Sequence, residues 1–543
     1  MRPHTLSDDN VYAGAVTAYA GPWIVSSILD DRAERIGDRL ALVGTGGERF
    51  TYGDLRDRAA RAAALLGELG VKPGDRVATM LDPTAEYAVS VLASAWAGSI
   101  EVPVNTDYKG FYLEQVIRET GARVAIVQER FLDRLAGVEL PELEHVVVVG
   151  DGDAPAPGGT RRHRFSALYD LDPAPRTPRT EEDLMLILYT SGTTGPSKGA
   201  MHSNRSALWT SRVWVDLAQL TQEDVGYSFL PFFHVTARSA MFMALTLVGG
   251  RTVLKERFSV SSFWDDVRRH GATFTMYMGA IIHLLYKQEP RPDDADNPLR
   301  AAGGAAAPPA IAADFIRRFG CELYEVFGMT EIGTATSGHY GHNTHGSVDR
   351  PFDHLEIRVH DARDEPVPVD TPGELVVRPR EPHAIFQGYW QRPEETLEAF
   401  RNLWFHSGDL GKLTPLGEVV FLDRVKDSIR RRGENISSFE VERSVNAHPA
   451  VLESAAYPVA SELTEDEVMI AVVLKDGAEL DLVELLQFCA ETMPRFTVPR
   501  YARIVDALPK TPTNRTQKHR LRDEGITTDT VDREALGIEV ARG

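Results

Sequence analysis

An α/β fold is predicted for this 543-residue chain: a large N-terminal domain of helix-covered sheets with a small β barrel layer, and a small α+β C-terminal domain. Three observations predict it. Between Trp23 and about Tyr324, apolar strand-like runs alternate with ten- to fifteen-residue helical patterns, the signature of parallel sheet covered by helices. After Thr344 the texture changes to short strands and Gly/Pro turns, and from Asp423 the alternation resumes on a smaller scale.

The elements follow in order. Arg56 to Leu69 repeats Ala and Leu at helical spacing, Gly70 to Asp75 breaks it, and Arg76-Val77-Ala78-Thr79-Met80 reads as a buried strand. The unit recurs as Ala85–Ala97 before Ser99–Val104, and as Glu114–Thr120 before Ala122–Val127. Residues 150–183, rich in Pro, Gly, Asp and Arg, read as a surface connection to the apolar strand Leu184–Tyr189. Leu355–Val359 and Gly373–Val377 read as short strands, and Phe439–Ala447 and Asp481–Glu491 as helices. The domains are placed at 1–425 and 426–543.

Composition removes several classes. The net charge of −20 argues against a general nucleic-acid binder, which needs a cationic face. Two cysteines, Cys321 and Cys489, form neither a disulfide framework nor a metal-ligand spacing. The most apolar stretch, Ser239–Gly250, is too short to span a bilayer, so no membrane insertion is expected. Met1 to Asp9 lacks an apolar run, so no secretory signal is expected and the cytoplasm is the expected compartment.

The chemistry concentrates in Tyr189-Thr190-Ser191-Gly192-Thr193-Thr194-Gly195-Pro196-Ser197-Lys198-Gly199. Its glycines let backbone approach an anion, consecutive N–H groups form a nest, and the hydroxyls and Lys198 add donors and charge. The segment is suited to polyphosphate. It differs from the P-loop of NTPases, in which Ser or Thr follows the Lys directly.

With this loop the chain resembles the adenylate-forming superfamily of acyl-CoA synthetases, peptide-synthetase adenylation domains and firefly luciferases. Further motifs follow in that family's order: Tyr324-Glu325-Val326-Phe327-Gly328-Met329-Thr330-Glu331, His406-Ser407-Gly408-Asp409-Leu410-Gly411, Asp423-Arg424-Val425-Lys426-Asp427, and Arg432-Gly433-Glu434-Asn435-Ile436-Ser437. Arg430–Glu442 looks most like the carnitine- and crotonobetaine-type CoA ligases.

The resemblance implies ATP, Mg2+ and CoA as cofactors and co-substrate, and a role for each matching residue. Thr190, Ser191, Gly192, Thr193, Thr194, Gly195 and Lys198 would hold the phosphates. Glu331, with Thr190, would ligate Mg2+, as a hard cation wants oxygen donors; an isolated Thr-Glu pair is usually a helix N-cap. Gly303, Gly304 and Ala305 would wall the adenine and acid pockets, with Tyr324, Gly328, Met329 and Thr330 lining the nucleotide, and His234 would stand beside the substrate. Asp409 would accept from both ribose hydroxyls and Arg424 would add a cation near the ribose and α-phosphate. The C-terminal domain would be mobile, rotating about Lys426 and bringing Gly433 to the thiol tunnel.

One departure stands out. The family pattern Pro-Lys-Thr-Pro-Thr-Gly-Lys becomes Pro509-Lys510-Thr511-Pro512-Thr513-Asn514-Arg515 here, so Arg515 occupies the position of the catalytic Lys. Either Arg515 substitutes, or Lys518 or Lys510 reaches in, or the first half-reaction differs. Residues 494–522 carry eight Lys/Arg against the single acid Asp506, which suggests a basic lid over small polyphosphates.

The function expected is an AMP-forming acid–thiol ligase that activates a small or medium carboxylic acid as an acyl-adenylate and transfers it to CoA. A second reading is an ATP-dependent diazotase that adenylates nitrite for an aromatic amine. A third, from another class, is a non-catalytic nucleotide-binding sensor.

Overall fold

The computed structural model describes residues 19–155, 157–190, 197–305, 307, 309–339, 347–424, 429–431, 434–436, 438–460, 466–493, 497–511 and 516–538. They fall into two compact units, a larger one within Met1–Gly192, Pro196–Glu356 and Arg378–Phe400, and a smaller one within Ile357–Val377 and Arg401–Gly543.

Local sequence explains the elements of the larger unit. The helix Tyr52–Glu68 opens on a capping box, in which the Thr51 side chain accepts from the Asp54 N–H and Asp54 accepts from the Thr51 N–H. The helix Ala85–Ala97 is apolar almost all round and is correspondingly buried on nearly every face. It ends on Gly98 at φ 71°, as the helix Phe111–Thr120 ends on Gly121 at φ 61°; both turns need the left-handed region that glycine enters without penalty.

These elements build two sheets. The seven-stranded sheet runs Arg161–Arg164, His145–Val149, Val124–Gln128, Arg76–Met80, Ile100–Pro103, Leu184–Tyr189, Gly199–Ser203. Its pairs are parallel except the last, an antiparallel hairpin. The eight-stranded sheet runs Gly333–His339, Glu322–Met329, Ala301–Ala305, Phe274–Met278, Val225–Ser228, Arg251–Leu254, Leu40–Val43, Arg49–Thr51, parallel inside with an antiparallel hairpin at each edge. One apolar core joins Val77, Val124, Ile126 and Val147 of the first sheet to Leu42, Leu254, Phe274 and Ala301 of the second through the helices Tyr52–Glu68 and Ala85–Ala97. A second core backs the outer face of the eight-stranded sheet and a third that of the seven-stranded one. The phosphate-loop motif and the Tyr324–Glu331 motif thus fall on antiparallel edge hairpins, where a loop leaves the sheet without a crossover helix.

The smaller unit holds most of an antiparallel sheet of Leu355–His360, Gly373–Pro379, Phe405–Leu413 and Val419–Arg424, the β layer foreseen after Thr344. A further four-stranded sheet, Val451–Ala460, Asp466–Leu474, Tyr501–Ile504 and Val531–Asp532, packs with the helices Ser438–Val445 and Leu482–Thr492 around Val441, Val468, Ile470, Leu485 and Cys489. Burial pushes the Cys489 thiol up to about 12 and raises Cys321 as well, which suits packing residues.

The basic segment near the C-terminus requires a correction. Arg500 pairs with Asp532, Arg503 with Glu524, Lys510 with Glu453 and Lys518 with Glu442, so acids distant in sequence neutralise much of the run. Those four cations build the unit instead of presenting an open cationic lid.

Candidate active site

In the larger unit the described ends of the phosphate-loop motif belong to the Leu184–Tyr189/Gly199–Ser203 hairpin, whose last pair is Tyr189 with Gly199. The Thr190 N–H donates to the Lys198 carbonyl at 2.9 Å and closes the neck of the loop. Gln115 Nε2 donates to the Ser197 carbonyl at 3.2 Å, and the Tyr108 and Ser197 hydroxyls lie 3.1 Å apart. A Cβ on Gly199 would stand 2.7 Å from Ile187 Cγ2, so the position admits only glycine without a shift. Ser191, Gly192, Thr193, Thr194 and Gly195 lie outside the described residues.

A third extended stretch flanks this hairpin. Gln387 N–H donates to Met201 O, Met201 N–H to Gly388 O and Trp390 N–H to Gly199 O, at 2.7, 2.9 and 2.8 Å. That pairing sets the Tyr389 ring 4.9 Å from the Lys198 ammonium, a cation–π contact. The Tyr389 hydroxyl donates to Glu331 Oε1 at 2.9 Å. Tyr389 therefore joins the phosphate-loop lysine to the candidate metal ligand.

Glu331 is buried in the turn between Glu322–Met329 and Gly333–His339, where Met329 pairs with Gly333. Thr330-Glu331 is thus a hairpin turn, not a helix N-cap. Gly328 fits tightly there, since a Cβ on it would meet the Gly333 carbonyl at 2.4 Å. Phe386 N–H donates to the Glu331 carbonyl at 2.8 Å, and the Tyr324 carbonyl accepts from the Tyr277 hydroxyl at 3.1 Å. Met329 and Thr330 are half-buried. Gly303 and Gly304 lie within the strand Ala301–Ala305, not in a turn, and a Cβ on Gly303 would fall 2.0 Å from the Trp214 ring. His234 sits at the corner leading into the π-helix Thr236–Met243, a helix form often found at functional sites.

Two buried histidines, His202 and His354, belong to the same unit. Burial pushes His202, whose ring reaches the Thr330 backbone, down to about 4, and burial with Arg212 pushes His354 down to about 3. Both are neutral in the folded state at pH 7 and bind a proton more readily once unfolded. Their stabilisation is complete above the ordinary value of 6.5 and is lost as pH falls towards about 4. Urea midpoints measured between pH 7.5 and 4.5 fall with pH, and His202→Gln flattens the slope; an unchanged slope would show that other groups govern it.

In the smaller unit Asp409 and Arg424 are cross-strand partners, with Arg424 Nε 2.8 Å from Asp409 Oδ1. Asp423 Oδ2 accepts from both the N–H and the hydroxyl of Ser438 at 2.6 Å. Lys518 Nζ lies 2.7 Å from Glu442 Oε1 and also donates to the Ser438 hydroxyl. Burial raises the Glu442 carboxyl above its usual range while Lys518 opposes it. Lys426, Gly433 and Arg515 lie outside the described residues.

These arrangements coincide with a family assignment. The AMP-binding enzyme model matches residues 29–390, and the AMP-binding enzyme C-terminal domain matches 440–515. The chain belongs to the AMP-binding enzyme family. A crotonobetaine/carnitine–CoA ligase of Citrobacter koseri is 29% identical to this AMP-binding enzyme, over 89% of this chain and 95% of the relative. The 4-coumarate–CoA ligase-like 9 of Oryza sativa subsp. japonica is 30% identical, over 91% and 92%. Among solved structures, ATP-bound MatB from Rhodopseudomonas palustris aligns with TM-score 0.82 at 28% identity, over 93% of this chain and 99% of that one. The anthranilate CoA ligase AuaEII in complex with anthranoyl-AMP aligns with TM-score 0.83 at 25% identity, over 92% and 96%. Enzyme family membership sets aside the nucleotide sensor.

Among the described residues of this AMP-binding enzyme no three His, Cys, Asp or Glu side chains cluster as a metal cage. The buried, tyrosine-held Glu331 carboxylate instead fits a magnesium ion that keeps most of its oxygen ligands from water and nucleotide. No described helix is long and apolar enough to cross a membrane. Sequence reading missed Tyr389; its signal was the Gln387-Gly388-Tyr389-Trp390 run, whose Gly388 at φ 116° turns the chain into the extra strand-like stretch.

Proposed function

We propose that this enzyme activates a small or medium carboxylic acid with ATP and transfers the acyl group to CoA. The observation that carries the reading is the Lys198–Tyr389–Glu331 array at the neck of the phosphate-loop hairpin. A cation and a buried anion joined through one tyrosine support the reading, since phosphoryl transfer draws on both kinds of charge. The substrate carboxylate oxygen attacks the α-phosphorus, the bond to the bridging oxygen of the β-phosphate breaks, and pyrophosphate leaves. The CoA thiolate then attacks the acyl carbon and AMP departs.

Positioning and charge do most of the work in such a step. Lys198 offers charge to the phosphates, and Tyr389 fixes both Lys198 and Glu331. Glu331 and Thr190 would hold Mg2+, which supplies neutralisation of the leaving pyrophosphate. Asp409 has the acceptor oxygens for two ribose hydroxyls, and Arg424 beside it the fork for the α-phosphate side. His234 stands at the start of the π-helix as the residue we assign to the acid.

Because Lys518 and Lys510 are engaged with Glu442 and Glu453, Arg515 is the cation we assign to adenylation. Arg515→Ala is expected to lower AMP formation by roughly 10²-fold or more, the usual loss of one transition-state donor, with ATP affinity nearly unchanged. Unaltered turnover would make Arg515 a surface residue. The division at Lys426, with residues 426–543 rotating between half-reactions, belongs to the same proposal.

The named relatives are CoA ligases, which supports CoA over an arylamine as acceptor. A panel of carboxylic acids and nitrite, each with MgATP and with or without CoA or an arylamine, tests the reading by mass spectrometry. An acid that yields AMP and a CoA thioester supports it. AMP formed only with nitrite and an amine would overturn it.

A further inference from the structure

We propose that Glu374 is a positioning residue for the ribose carboxylate Asp409, which it sets through the backbone of Gly408 and the ring of His406. The inference deepens the nucleotide-site proposal and rests on Asp409 receiving the ribose hydroxyls.

The strands Gly373–Pro379 and Phe405–Leu413 pair antiparallel, but their register slips between Glu374, opposite Leu410, and Val376, opposite His406. A register slip of this kind bends a strand and re-aims the side chains beside it. Here it falls on Ser407-Gly408, and Gly408 takes φ 70°, which favours glycine. The Glu374 side chain supplies the acceptor that the bulge needs. Its Oε1 accepts from the Gly408 N–H at 3.0 Å, and its Oε2 accepts from His406 Nδ1 at 2.9 Å and Arg401 Nη2 at 3.0 Å.

Two further contacts carry the setting to Asp409. The Ser407 hydroxyl donates to the Leu375 carbonyl at 2.6 Å and accepts from the Asp409 N–H at 3.0 Å. On its far side the His406 ring has Nε2 3.4 Å from Asp364 Oδ1, and Asp364 in turn lies 2.7 Å from His360 Nδ1. His406 is therefore held between two carboxylates, one of which also holds the Gly408 amide. Asp409, at 2% exposure, cannot adjust its direction freely. Bidentate acceptance from two hydroxyls demands that direction be right, and Glu374 contacts both His406 and Gly408, the residues on either side of Ser407.

The test is nucleotide binding, which needs no acid. Dissociation constants of the full chain for MgATP and for Mg-2′-deoxy-ATP are measured by calorimetry for wild type, Asp409→Ala, Glu374→Ala and Glu374→Gln. A charged hydrogen bond to a hydroxyl corresponds to roughly tenfold or more in the ratio of the two constants. The wild type is expected to show that preference and Asp409→Ala to lose it. Glu374→Ala is expected to cut the ratio at least about threefold while the deoxy-ATP constant stays within about twofold, and Glu374→Gln, which keeps one acceptor oxygen, to fall between. An undiminished ratio in Glu374→Ala, or equal weakening of both nucleotides, would overturn the inference while Asp409 keeps its role. A preserved ratio in Asp409→Ala would instead overturn the ribose reading and the inference with it. If Glu374→Ala does not fold, Glu374→Gln carries the same comparison, with an undiminished ratio again overturning the inference.

Discussion

Glu331→Gln is expected to lower acid-dependent AMP formation by roughly 10²- to 10³-fold, the scale of losing one preorganised charge-stabilising group. Glutamine keeps the shape of the turn and an oxygen that accepts from the Tyr389 hydroxyl. It removes only the negative charge. The melting temperature should therefore hold while the magnesium concentration for half-maximal rate rises. Single-turnover AMP release across a magnesium titration measures both. Activity within about threefold of wild type would reduce Glu331 to a structural residue of the hairpin turn.

The largest stability effect is expected at Arg238. Its side chain and that of Glu101 are almost fully buried, and the guanidinium grips both carboxylate oxygens. Arg238 also donates to the Phe232 carbonyl, and Thr79 donates to Glu101 Oε1 at 2.9 Å. Burial alone would lower the Arg238 pKa, but the charge and hydrogen bonds of Glu101 hold it above its ordinary value. Arg238→Met strands the carboxylate in the core and should cost about 3–5 kcal/mol, whereas the double variant Glu101→Leu/Arg238→Met should recover most of that loss. Urea unfolding of the two variants compares them. A double variant as unstable as the single one would show that packing, not the uncompensated charge, sets the cost. The pair anchors the π-helix that follows His234, so the single variant should also weaken acid binding.

What the sequence reveals about this molecule follows the range of the interactions. Local periodicity located the strand Arg76–Met80, the helix Ala85–Ala97 and the strand Leu184–Tyr189, because each is decided by its own residues' need to be buried. Thr330-Glu331 was open to a helix-cap reading, since only the pairing of Glu322–Met329 with Gly333–His339 makes it a hairpin turn. Ser99–Val104 reads as a strand, but nothing in it shows how Glu101 is neutralised. Its partner Arg238 lies 137 positions away, a distance no local pattern spans. Tyr389 and Glu374 were missed for the same reason, as each acts on a motif through contacts made only after folding. The cationic run near the C-terminus misled in the opposite direction, because the acids that neutralise it come from Glu442, Glu453, Glu524 and Asp532. The motifs themselves were legible, since backbone and small side chains that cradle phosphate leave a local signature.

The central claim is that a carboxylate oxygen bonds to the α-phosphorus of ATP. It is tested most directly by supplying the active acid labelled with ¹⁸O in both carboxyl oxygens, together with MgATP and CoA, and weighing the products. The account predicts one ¹⁸O in the phosphate of AMP, one in the thioester carbonyl and none in pyrophosphate. Unlabelled AMP, or label appearing in orthophosphate, would contradict it.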